Sequence, residues 1–165
     1  MAVNCKEESA FKIGEVIMHN KLGLCTLQEM TKINDMDYYV LISNRDNTKI
    51  MIPVISGKKL IRKIITKREL DELISRMQNT EVDLIADFKA RAKKYEELLK
   101  SGETENLLIL LRMINQQQKQ KNRLSVADKE ISKAAKKLLF DELMYVLNAK
   151  TEEVEKYLFR VDTCK

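Results

Sequence analysis

Residues 60–69 read LIRKIITKRE, and two patterns meet inside them. Up to Ile65 the run is branched and apolar, as in a short strand. Thr66 followed three residues later by Glu69 is a helix-start signature, because the hydroxyl and the carboxylate can meet free N–H groups of a first turn. The fold therefore changes class at about residue 65.

Upstream lie strand signals. Phe11–Met18 is apolar around Gly14. LGLCTLQEM (22–30) alternates roughly, NDMD (34–37) is a turn, and YYVLIS (38–43) is aromatic and β-branched. NRDN (44–47) is a second turn, TKIMIPV (48–54) a further strand, and LIRKII (60–65) a fifth. Short strands with short polar turns predict a small antiparallel barrel or sheet. Downstream, Thr80 with Asp83 and Ser125 with Asp128 repeat the capping pattern, and Ser101-Gly102-Glu103 breaks one helix and starts another. Helices are predicted near 67–78, 81–100, 103–121, 126–148 and 152–160. The fold class is α+β: a β domain over 1–65 and an all-helical domain over 66–165.

The 165 residues are 44% hydrophobic and 33% charged, with a net charge of +5. That balance permits nucleic-acid binding without proving it. No apolar run reaches the ~20 residues of a membrane helix, and no signal-like start opens the chain, so a soluble, cytoplasmic protein is expected. Three scattered cysteines (Cys5, Cys25, Cys164) and the lone His19 form no metal-ligand spacing; reduced thiols and no metal are expected. No phosphate-cradling glycine loop appears, and no acid–base pair stands out. The reading is a binding module, with no enzyme, cofactor or small-molecule substrate.

Charge concentrates late. Residues 112–137 hold eight cations against two acids, a local excess of +6. On the helix from 126, Lys129, Lys133, Lys136 and Lys137 fall opposite Ala127, Ile131, Ala134, Ala135 and Leu138. Such a face is either solvated or meets phosphates. Phe140 lies on the lysine side, either buried against a fifth helix or exposed. In DFKARAKK (87–94), spacing places Phe88 on an apolar stripe with Leu84, Ala92, Tyr95 and Leu99, and alone reads it as core.

FKIGEVIMHNKLGLCTLQEM (11–30), YYVLI (38–42) and TKIMIPV (48–54) resemble the RNA polymerase-interacting domain of the CarD/CdnL family of bacterial transcription regulators. FKARAKKYEELLKSG (88–102) and NRLSVADKEISKAAKKLL (122–139) resemble its helical C-terminal domain. The likeness runs from about Phe11 to Leu158. It implies a Tudor-like β domain docked on the polymerase β subunit, and a helical domain on promoter DNA at the upstream edge of the bubble. There an aromatic wedge enters the minor groove, and the position falls on Phe88, where relatives commonly carry Trp. The resemblance thus turns Phe88 from core to DNA-facing. Arg91 and Lys129 match family basic positions; Lys89, Lys93, Arg123, Lys133 and Lys136 would add phosphate contacts. On the polymerase side it implies Lys32, Ile33, Lys49, Ile50, Met51 and Ile52. Met51 stands where relatives often carry Arg, Ile33 stands near a second such Arg, and Lys32 and Lys49 supply charge close by. The implied function is stabilisation of the promoter open complex, with no sequence-specific reading. One rival is a polymerase-bound adaptor whose helices recruit a protein. A translocase sharing the same polymerase-binding domain would need ATPase motifs, and none is present.

Overall fold

Asn34 and Asp35 both take left-handed φ angles, 48° and 63°. A two-residue hairpin turn needs that conformation to match the twist of its strands. They join β2 (Gly23–Ile33) to β3 (Met36–Ser43), with Ile33 opposite Met36 and a bulge between Leu27 and Glu29. A second turn leads into β4 (Lys49–Pro53): Asn47 is left-handed, and the Asp46 carboxylate accepts the Thr48 N–H at 3.0 Å. With β1 (Val16–His19) and β5 (Ile61–Lys63), the sheet order is β4-β3-β2-β1-β5. A short helix, α1 (Val54–Gly57), lies between β4 and β5; the sequence reading had no helix there.

The computed structural model describes residues 10–162, so Cys5 and Cys164 fall outside them. The expected α+β class is found, with one correction. The sheet stays open and is not closed into a barrel, because the three-residue β5 sits at one edge beside β1 and β4 forms the other. Alternation sorts the strands by face only in part, since Val40 between Tyr39 and Leu41 is buried as well. Tyr39, Leu41, Leu27 and Ile52 point inward and are buried. Phe11 packs edge-on against Tyr39, with centroids 5.7 Å apart. Cys25 is a free, buried thiol; burial first, then the Asp46 charge, pushes it up to about 11.

Residues 10–18 and 24–63 form one compact unit, and 19–23 with 64–162 a second. The second holds α2 (Lys67–Gln78), α3 (Phe88–Ser101), α4 (Thr104–Lys121), α5 (Val126–Leu147) and α6 (Thr151–Asp162). Thr66 and Glu69 make the full reciprocal cap at the start of α2. Leu70, Leu107, Leu110, Ile114, Leu139, Leu143 and Val154 are fully shielded at the centre. Glu142 is buried among them, accepting the Ile65 N–H at 3.0 Å and the Thr104 hydroxyl at 2.9 Å. It thereby pins the chain entering α2 and the start of α4 to α5. Phe140 is half-buried and packs against this core.

His19, the last residue of β1, is buried at 8% exposed. Its Nδ1 accepts the N–H groups of Lys21 and Leu22, both at 3.1 Å. Next to it, Asn20 donates to the Lys100 carbonyl at 3.3 Å. Gly102, left-handed at φ +64°, meets Asn20 so closely that a Cβ would lie 2.8 Å from the Asn20 Cβ.

Candidate functional site

The helix expected from residue 81 begins seven residues later. Thr80 does not cap it; its hydroxyl donates back to the Arg76 carbonyl at 2.9 Å and extends the end of α2. Asp87 is the cap, accepting the Ala90 N–H at 2.8 Å. Phe88 is therefore the first residue of α3, and it is 56% exposed. A first-turn residue has no preceding turn to cover it, so its side chain reaches solvent. Lys89 and Lys93 are also exposed, on the same helix.

Arg91 is not among the exposed cations. It is 7% exposed, and its Nη2 lies 3.9 Å from the Asp128 carboxylate in the first turn of α5. Its Cζ stands 5.4 Å from the centre of the Phe88 ring. The buried stripe of α3 is Arg91, Tyr95 and Leu98, rotated from the stripe that spacing assigned. The resemblance placed Arg91 among the DNA-contacting cations; in the fold it is buried.

α5 carries the other cations. Lys129, Lys133 and Lys136 are exposed and line a groove of about 390 Å³ between α4 and α5. Asn115, Gln118 and Ser132 add neutral hydrogen-bonding groups, over a floor of Ile114 and Leu124. These neutral lining residues were missed in the sequence, since polar residues on a helix carry no signal of their neighbours. Arg123 is exposed in the loop between the two helices. Val126, the first residue of α5, is 77% exposed and was also missed. The Arg91–Asp128 pair brings the start of α5 beside the start of α3. Exposed apolar residues thus open both helices, and Lys129 follows directly on Asp128.

On the β unit, the six residues tied by resemblance to polymerase divide by face. Lys32, Ile33, Lys49 and Met51 are exposed. Ile50 is half-buried and Ile52 is 4% exposed, opposite Leu41 and Tyr39 respectively. The Ile52 side chain belongs to the core, so only its backbone lies at the edge. Met36, opposite Ile33, extends the outer apolar patch. β4 is an edge strand, with no strand beyond it among the described residues.

Two family models match the chain. The CarD-like/TRCF RID domain covers residues 11–65, and the CarD C-terminal domain covers 72–159. The chain belongs to the CarD/CdnL family. No curated protein matches it in direct comparison. Its CarD-like domains are those of an RNA polymerase-interacting transcription factor, and such domains are non-enzymatic regulators. Among the described residues of this CarD-family chain, no helix is long and apolar enough to cross a membrane.

Proposed function

We propose that this CarD-family protein docks on the polymerase β subunit through its β part, residues 1–65. Its helical part, 66–165, then stabilises the promoter open complex. The observation that carries this reading is the exposed Phe88 ring at the start of α3, with Lys89 and Lys93 exposed on the same helix. An apolar ring presented among cations suits a minor-groove wedge, which partly unstacks a base step while lysines hold the flanking phosphates. Phe lacks the indole N–H of the family's Trp, so it acts by shape alone. Lys129, Lys133 and Lys136 along their groove, with Arg123 exposed in the loop between α4 and α5, add phosphate contacts that carry no sequence information.

The β4 edge supports docking by strand addition, with Lys49 and Met51 exposed on that strand. Tethering raises the local concentration of the helical part at the promoter. The protein works wherever polymerase works, on the nucleoid of the bacterial cytoplasm. Only a preference for opened over closed DNA moves the equilibrium between them, and Phe88 supplies that preference, since a duplex with stacked bases has no gap for the ring.

The test is the lifetime of competitor-challenged open complexes. Wild type lengthens it, and Phe88→Ala loses most of the effect at unchanged polymerase affinity. If Phe88→Ala acts as wild type does, the wedge is removed and the helical part is left as a protein-recruiting adaptor.

A further inference from the structure

The buried stripe of α3 begins with a charge. Arg91, Tyr95 and Leu98, spaced four and three apart, are 7%, 1% and 6% exposed. A guanidinium out of water is costly unless its N–H groups are met. Here they are met sparingly. Nη1 donates to the Ile85 carbonyl at 3.5 Å, and Nη2 lies 3.9 Å from Asp128. The Arg91 Nε and the Tyr95 hydroxyl are both buried without a hydrogen-bond partner. Burial first, then the Asp128 charge, pushes the Tyr95 phenol up against the pull of Arg91, which keeps its hydroxyl neutral beside the two charges. Replacing such a cluster by apolar side chains would often leave a protein no less stable. Stability alone therefore gives no account of it.

What the cluster does hold is Phe88. Arg91 lies three residues on, one turn along the same side of the helix. Its guanidinium carbon is 5.4 Å from the ring centre, within range of a cation–π contact. The ring thus rests on the guanidinium on one side and remains open to solvent on another.

We propose that Arg91 is a positioning residue for Phe88 and not a phosphate contact. Asp128 in the first turn of α5 anchors the guanidinium, and the guanidinium fixes the ring outward. The first turns of α3 and α5 then set the wedge together. The inference rests on the reading of Phe88 as a DNA wedge, and its test has one arm that does not.

The first arm uses the free full-length protein with 4-fluorophenylalanine placed at position 88 and read by fluorine NMR. Arg91→Met shifts and broadens the resonance, and Arg91→Lys does so less. Asp128→Asn also moves it, although Asp128 acts only through Arg91. An unchanged resonance in Arg91→Met overturns the proposal. Where the methionine variant fails to fold, as judged by urea denaturation, Arg91→Lys and Asp128→Asn carry the same comparison.

The second arm measures binding to a forked duplex across salt concentrations. Arg91→Met weakens binding by roughly fivefold, the scale of one lost cation–π support. The loss is equal at every salt concentration, and it adds nothing to Phe88→Ala. A salt slope reduced by about 0.9 would make Arg91 a phosphate ligand and overturn the proposal. So would full additivity with Phe88→Ala. If Phe88→Ala itself binds DNA as wild type does, the wedge reading falls, and the fluorine resonance alone decides whether Arg91 supports the ring.

Discussion

Replacing Lys129, Lys133 and Lys136 by Gln removes three charges from one groove wall and touches no core residue. At ~1.5 Å per residue, seven residues of helix put the outer two ~10.5 Å apart along α5. Phosphates on one DNA strand advance ~3.4 Å each along the duplex axis, so that span meets about three of them. Each neutralised phosphate contributes ~0.9 to the slope of log affinity against log salt, and losing three lowers the slope by ~2.7. Between about 50 and 200 mM salt, the wild type then loses ~40-fold more affinity than the triple variant. Fluorescence anisotropy with a labelled forked duplex over that range reads the difference directly. Single variants should each lower the slope by ~0.9, about 3.5-fold over that range. A triple variant with the wild-type slope would show that these lysines are merely solvated, and the α4–α5 groove would drop out of the DNA path.

Glu142→Ala leaves the Ile65 N–H and the Thr104 hydroxyl without their acceptor. It should destabilise the protein by about 3–5 kcal/mol in urea denaturation, and Glu142→Gln by about 1–2 kcal/mol. Gly102→Ala puts a methyl group against the Asn20 backbone at a left-handed position. A cost of about 2–4 kcal/mol is expected, read the same way. Burial first, and the Lys21 charge second, hold His19 below its ordinary value of 6.5. The unfolded chain therefore takes up a proton first as pH falls, so stability is full above 6.5 and declines below it, until the folded form also protonates. Denaturation midpoints at pH 7.5 and 5.5 should show a drop that His19→Gln largely removes.

Much of the helical half could be read from caps, since a cap is local chemistry. Thr66 and Ser125 start α2 and α5 where the sequence placed them. α3 was misread because Val82 and Ile85 pack against the helical core from an extended segment. Apolar residues at that spacing imitate a helical turn. The same error made Phe88 look like the middle of a stripe when it is the first residue of its helix. Arg91 hid the true rotation: a charge on the inward face runs against the periodicity, and its partner Asp128 lies far along the chain. On the β side, strands and turns followed from alternation and from Asn and Asp at turns. Closure did not, because whether a sheet's two edges meet depends on twist and strand length summed over the whole sheet.

The edge strand β4 is short, and its ends differ from its middle. Lys49 brings a charge to one end, and Pro53 brings no N–H to the other. Only Ile50, Met51 and Ile52 between them offer an uncharged stretch with a full complement of backbone groups. A window that narrow admits a brief foreign segment but defeats the long in-register stacking on which fibrils grow. The β4 edge can therefore take a partner strand without inviting stacks of its own chain.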